Sequence, residues 1–379
     1  MNIKHIKRNI FLMFCIAFLL LLASCGAKDD YKEEISKVIG IKLEAIEEKN
    51  EEKYLITINK SNKEYYNEQR RWIKDLLDNN IENFNLEIID IKEIEDDILV
   101  VRLKQTYKYR YKNNELLYSV KYIKTDEGWK DSDLNFKVKE TEHFIFNYME
   151  GVANLDKIIN AAERAYDRIT SDLEKQTKDK TVIKIYNDRE LLRQSTKLSI
   201  EWQFTGWYEL EEGLKIFSGR EKDYDYQGLI EHELTHKITL SASKNNMPYW
   251  LCEGVAVYFA NFYQRGGDPI ELGWYGKEDF HLSIDRLEEM NLEKLTKDYD
   301  IGRYYGVSGM IVKYISLSYG KDKVLEIIDE LGKYSYNESL ANKDWDKENQ
   351  EKLEKVVEKV LGTTIEELSG EWLEWLSNR

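Results

Sequence analysis

The chain has 379 residues, 42% of them hydrophobic and 34% charged, with a formal net charge of −15. This length suits two or three domains of roughly 100–200 residues each, and the hydrophobic fraction is enough for ordinary globular cores. An acidic surface has no general attraction for nucleic acid or anionic lipid, so neither is expected as a main partner.

Lys4, Lys7 and Arg8 form a basic start, and the stretch from Ile10 to Ala23 is wholly apolar. That stretch is shorter than the about 20 residues a membrane-spanning helix needs. It ends in Leu22-Ala23-Ser24-Cys25-Gly26, small residues just before a cysteine, which resembles the lipobox of bacterial lipoproteins. The resemblance implies that residues 1–24 are a signal peptide and that Cys25 carries lipid. The protein would then be held on the extracellular face of the cell membrane. Losing Lys4, Lys7 and Arg8 takes the formal charge from −15 to −18. Of three cysteines, Cys15 leaves with the signal and Cys25 takes the lipid. Cys252 then stands alone, and no intramolecular disulfide can form.

After a short tether, residues 31–50 place Ile35, Val38, Ile39, Leu43 and Ile46 at helical spacing, and a second helix is predicted from Lys63 to Leu77. Alternating segments predict strands at Asn85–Ile91, Asp97–Leu103, Thr106–Tyr111 and Leu116–Ile123. Gly128-Trp129 marks a turn into a last strand near Leu134–Val138. Helices followed by a strand meander predict a small α+β domain over residues 25–139. Its element order and late Gly-Trp turn are similar to the cone-shaped nuclear-transport-factor-2-like class.

The texture changes near His143, and residues 140–379 read as a second domain. A strand is predicted at Phe144–Tyr148, a long amphipathic helix at Ala153–Glu174, and a buried strand at Thr181–Tyr186. A short helix follows from Asp188, then a glycine-bracketed strand at Leu214–Phe217. The rest is predicted helical: Tyr226–Leu240, Pro248–Tyr263, Tyr304–Tyr319, Lys323–Leu331, Gln350–Leu361 and Ile365–Leu376. The expected fold class for the whole chain is α+β.

His232-Glu233-Leu234-Thr235-His236 is an H-E-x-x-H motif in a chain with five histidines. Histidines four apart lie on one helix face and reach one ion. Zinc suits two nitrogen ligands and one oxygen ligand, with a fourth position open to water. In this motif the intervening carboxylate, here Glu233, serves as general base. Glu253 lies in Pro248-Tyr249-Trp250-Leu251-Cys252-Glu253-Gly254-Val255-Ala256, apolar on every side and so expected as a buried helix. A carboxylate there needs a partner charge or a cation. Cys252 points elsewhere on that helix and reads as a small buried filler. His143 and His281 are further histidines with no motif around them.

H-E-x-x-H followed after a short loop by Trp-x-x-Glu-Gly-x-Ala resembles the gluzincin metallopeptidases, and more narrowly the peptidase MA-like group, over roughly residues 142–379. The resemblance implies a zincin-like catalytic domain and Zn2+ held by His232, His236 and Glu253. It makes Glu233 the base that activates water and a peptide or protein the substrate. It also implies that the Leu214–Phe217 strand pairs with an extended substrate backbone. Tyr304-Tyr305-Gly306 resembles the tyrosine that steadies the oxyanion at the start of a later helix in that family, with Tyr305 favoured over Tyr304. Where some members carry a supporting carboxylate four residues after the ligand Glu, this chain has Val257. Three rival readings stay open: a zinc hydrolase acting on other amides or esters, a non-catalytic binding lipoprotein with a structural metal, and a protein whose main role lies in its small N-terminal domain as a partner- or wall-binding module.

Lipidation has a direct test. Cys25→Ser is expected to abolish metabolic labelling with a fatty acid and to release the protein from membranes, since two acyl chains on one residue give stable anchoring. Equal labelling of wild type and variant would refute the anchor.

Overall fold

The computed structural model describes residues 31–219, 226–260, 276–338 and 343–379. The expected signal peptide and Cys25 lie outside the described residues, as does the expected end of the Pro248–Tyr263 helix. The fold is mixed α+β, with one four-stranded antiparallel sheet and one five-stranded mixed sheet. The chain divides into two compact units between Asn135 and Phe136.

In the first unit, α1 (residues 31–47), α2 (Glu51–Leu55) and α3 (Lys63–Asp78) precede β1 (Glu82–Glu95), β2 (Ile98–Tyr109), β3 (Lys112–Thr125) and β4 (Gly128–Leu134). The strands form an antiparallel meander in chain order. The two strands expected at Asp97–Leu103 and Thr106–Tyr111 are one, β2. Leu103, Gln105, Tyr107 and Tyr109 are buried in unbroken alternation, so no turn interrupts the ladder. Trp129 lies within β4 rather than at a turn before it. Asp131 organises the interior: Lys42 Nζ pairs with its buried carboxylate, and Tyr65 donates its hydroxyl to it at 2.7 Å. Asn62 caps α3 by accepting from Tyr65 N at 3.2 Å.

The second unit begins earlier than residue 140. β5 (Lys137–Glu140) pairs antiparallel with β6 (Phe144–Tyr148), so the tail of the expected Leu134–Val138 strand belongs to a different sheet. β6 runs parallel to β7 (Thr181–Tyr186), and β7 parallel to β9 (Leu214–Phe217). β8 (Gly206–Trp207) closes the sheet antiparallel to β9, giving the order β5-β6-β7-β9-β8. The β6–β7 crossover is α4 (Leu155–Leu173), whose buried stripe includes Ile158, Ala162, Ala165, Ile169 and Leu173. α5 (Arg189–Thr196) follows β7, capped by Asp188, which accepts from Leu191 N at 2.7 Å.

Helices complete the unit: α6 (Tyr226–Ala242), α7 (Tyr249–Phe259), α8 (Lys277–Phe280), α9 (Ile284–Glu289), α10 (Asp298–Ser318), α11 (Lys321–Leu331), α12 (Lys343–Leu361) and α13 (Ile365–Ser377). A single 3-10 turn, Leu292–Lys294, precedes α10. α10 begins at Asp298, so Tyr305 lies about two turns inside it rather than at its start. The turn between α6 and α7 is fixed by asparagines. Lys244 and Asn245 take left-handed conformations, with φ of 53° and 63°. Asn349 Nδ2 donates to the carbonyls of Asn245 (3.0 Å) and Met247 (3.1 Å), and Asn246 Nδ2 to those of Ser243 (2.9 Å) and Ser335 (3.0 Å).

The start of α7 is tied to two carboxylates. Asp346 Oδ1 accepts from Tyr249 N at 2.7 Å, and Trp250 Nε1 donates to Glu288 Oε1 at 3.1 Å. Burial pushes Glu288 up to about 7; the Trp250 indole opposes this, and the charges of Asp346, Glu354 and Asp285 add to it. Folded Glu288 therefore keeps its proton to a higher pH than it does unfolded. Its contribution to stability is present at low pH and is lost as pH rises from about 4.5 towards about 7. Glu288→Gln should remove this dependence, so that the variant gains on wild type between pH 5 and pH 7.5. Urea unfolding midpoints at both pH values check this, and an unchanged difference would refute it.

Candidate metal centre

α6 lies against β8 and β9, at the end of the sheet opposite β5. Tyr226, its first described residue, donates its hydroxyl to the Ser218 carbonyl at 2.8 Å, fixing the helix to the end of β9. Glu231, buried on α6, pairs with Arg168 of α4, whose Nη2 also donates to the Phe259 carbonyl at 2.8 Å. One guanidinium thus ties α4, α6 and the end of α7 together.

On α6, His232 and His236 stand one turn apart with ring centroids 4.7 Å from each other. Their Nε2 atoms are 3.1 Å apart. Glu253, from α7, places Oε2 3.2 Å from His232 Nε2 and 3.3 Å from His236 Nε2. These three residues are the one group of potential metal ligands found among the described residues. Glu253 Oε2 is buried, and apart from its close contacts with the two imidazoles no donor reaches it among the described residues. A buried acceptor left this way is costly. Burial favours its neutral form, but the imidazoles of His236 and His232 outweigh that and bring Glu253 down to about 2.

Two imidazole nitrogens and one carboxylate oxygen are a donor set for a borderline divalent cation. Tetrahedral bonds of about 2.0–2.1 Å separate neighbouring donors by about 3.3–3.4 Å. The three spacings here, 3.1, 3.2 and 3.3 Å, fall at or slightly short of that range, so a small outward movement of the three side chains fits one small cation.

Glu233 is 4% exposed and makes no hydrogen bond or ion pair among the described residues. Burial pushes it up to about 8; His232 and Lys215 oppose this, and Glu253 adds to it. Its carboxylate lies against Gly206 of β8, where the methyl carbon of an alanine would stand 2.2 Å from Oε1. Tyr305, on α10, faces His232 with ring centroids 6.1 Å apart, and burial followed by the charges of Glu253, Glu233 and Glu293 holds its phenol well above the ordinary range. Tyr304 is fully buried beside it in the core.

The other named residues fall elsewhere. His143 Nδ1 is 2.6 Å from Glu163 Oε2, and its ring stacks on Tyr166. His281 is exposed at the end of α8. The buried Cys252 thiol points to the Met247 carbonyl at 3.6 Å. Leu214–Phe217 is not a free edge: β9 has β7 on one side and β8 on the other. On this side of the sheet the outermost strand among the described residues is β8. Phe217 N donates to Thr205 O, so Gly206 and Ile216 form a non-hydrogen-bonded pair, and the Gly206 N–H and C=O turn outward.

Sequence reasoning also missed what holds β8 in place. Buried Lys197 pairs with Glu209 Oε1 (2.8 Å) and Glu293 Oε1 (2.5 Å), and Tyr249 donates its hydroxyl to the same Glu293 oxygen. Burial disfavours the Lys197 charge, but the two carboxylates outweigh it and hold the ammonium well above its ordinary range. The Lys197 ammonium also lies 5.3 Å from the Trp207 ring centroid. Lysines and glutamates spread from 197 to 293 carry no spacing signal that could have revealed this.

No protein-family description and no curated protein matches the chain.

Gly254, next to Glu253, sets the approach of α7 to α10. A Cβ there would stand 2.5 Å from the Ser308 carbonyl oxygen, a backbone atom that cannot turn aside. Gly254→Ala should therefore cost about 1–3 kcal/mol, as overpacking typically does, and move Tyr305 relative to His232. Urea unfolding tests the stability change, and a variant as stable as wild type would show that the two helices separate freely.

Proposed function

We propose that the protein is a zinc-dependent peptidase of the gluzincin kind, held outside the cell by lipid on Cys25. The unit from Phe136 onward carries the activity on a zincin-like fold. The first unit, three helices and a four-stranded meander, is proposed to be nuclear-transport-factor-2-like. The observation that carries the reading is the convergence of His232 Nε2, His236 Nε2 and Glu253 Oε2 within 3.3 Å of one another, beside a buried Glu233 that bonds to nothing described. A purely structural metal would leave that carboxylate without a purpose.

Zinc, when bound, supplies a Lewis acid and a water of lowered pKa. His232, His236 and Glu253 would hold it. Glu233 accepts a proton from the attacking water and returns it to the leaving amine. The Tyr305 hydroxyl stays protonated and can donate to the oxyanion that develops on the scissile carbonyl. An extended peptide or protein substrate pairs with the outward backbone groups of Gly206 on β8, in place of the expected Leu214–Phe217 strand.

Binding and chemistry separate by variant. Glu233→Gln should keep about one zinc per chain and lose about 10²–10⁴-fold in turnover. Glu253→Ala should lose zinc, since a site with three protein ligands cannot spare one, and Tyr305→Phe should keep zinc with a smaller loss of rate. Elemental analysis beside peptide cleavage reads all three. Wild-type cleavage rates in Glu233→Gln would refute the catalytic reading, and unchanged zinc in Glu253→Ala would refute the ligand assignment.

A further inference from the structure

Of the two residues in β8, one is glycine. Its backbone is outside the left-handed region, so no turn or strain demands glycine at 206. What demands it is space. A Cβ on Gly206 would lie 2.2 Å from Glu233 Oε1, 2.9 Å from Glu233 Cδ and 2.7 Å from Leu229 Cδ1. Leu229 and Glu233 are one turn apart on α6, so β8 crosses directly over the face that carries the carboxylate. At the same residue, the N–H and C=O turn away from β9, on the side where no further strand pairs among the described residues.

We propose that Gly206 is a positioning residue: its missing side chain seats the Glu233 carboxylate against the backbone of the outermost strand. This rests on the peptidase reading above. The consequence is a fixed short distance between the base and whatever peptide lies along β8. Any side chain at 206 would push the carboxylate away from that strand. Both groups that a methyl would meet are ends of flexible side chains rather than backbone. A variant with alanine therefore folds, and does so with the Glu233 carboxylate displaced. Displacement on the scale of 1 Å at a reacting group can cost about 10²-fold in rate.

Two measurements on the full chain test this. The first needs no activity: urea unfolding of metal-free wild type, Gly206→Ala, Glu233→Ala and the double variant. Gly206→Ala should lower the unfolding midpoint in wild type and lower it clearly less when Glu233 is already alanine, because the carboxylate it strikes is gone. Equal shifts in both backgrounds would overturn the contact. The second is kinetic, with zinc loaded. Gly206→Ala should keep its zinc and its KM within a few-fold while kcat falls about 10²-fold. Combining it with Glu233→Asp, which shortens the base by one methylene, should cost far less than the two single losses multiplied. Wild-type kcat in Gly206→Ala, strictly multiplicative losses, or loss of zinc would each overturn the positioning role. A wild-type chain that binds zinc and cleaves no peptide, yet shows the stability coupling, overturns the peptidase reading and upholds the seating of Glu233 by Gly206.

Discussion

Two carboxylates buried without a lysine or arginine to neutralise them are the constraint around which this unit is arranged. Glu233 and Glu253 are both at least nine-tenths buried, and among the described residues neither makes an ion pair with lysine or arginine. Desolvating an unpaired carboxylate is among the largest penalties a fold can carry. The two sites meet it differently. Glu253 is drawn far down by two imidazoles, whereas Glu233 is left to rise to about 8. The same site thus pushes its two carboxyl groups apart in proton affinity.

Holding such groups in place takes more than the helices that carry them. α6 is fixed at its start by Tyr226 on the Ser218 carbonyl and laterally by Arg168 on Glu231. α7 is fixed at its start by Asp346 and Glu288, and along its length by the glycine contact with α10. The αL turn at Lys244-Asn245, stitched by Asn349 and Asn246, then sets the direction in which α7 leaves α6. The ligand spacing thus depends on a turn whose polar groups bond to segments about 90–100 residues further along the chain, Ser335 and Asn349 among them.

Much of this is legible in the residues, and the limits have physical causes. The H-E-x-x-H spacing is local, and helical geometry alone brings His232 and His236 together. Glu253 is legible because a charge in an all-apolar helix demands a partner. Element positions in the second unit follow from long periodic segments such as α4 and from the β-branched run of β7. α10 starts earlier than its apolar stripe indicates, because Asp298–Arg303 buries only Ile301 and so shows no apolar period. β2 reads as two strands because Lys104 and Gln105 look like a break, although Gln105 is buried in register. β8 cannot be seen at all, since two residues carry no period.

That invisible strand shows how a short element is made rigid. Two residues of ladder cannot fix an edge by themselves, since isolated short strands are marginal. Here the segment around β8 is pinned by a buried charge cluster: Lys197 before it and Glu209 after it meet each other and Glu293, and Tyr249 at the start of α7 bonds the same Glu293. The aromatic rings of Phe204 and Trp207 pack together across Gly206, with centroids 4.7 Å apart. Lys197 and Glu293 thereby connect the edge strand to the helix that bears Glu253. The strand that contacts Glu233 and the helix that supplies Glu253 therefore share one electrostatic anchor. Removing Lys197 would leave Glu209 and Glu293 as buried like charges, which drives their segments apart. The position of Glu233 against Gly206 and that of Glu253 against the histidines are accordingly not independent features of the site.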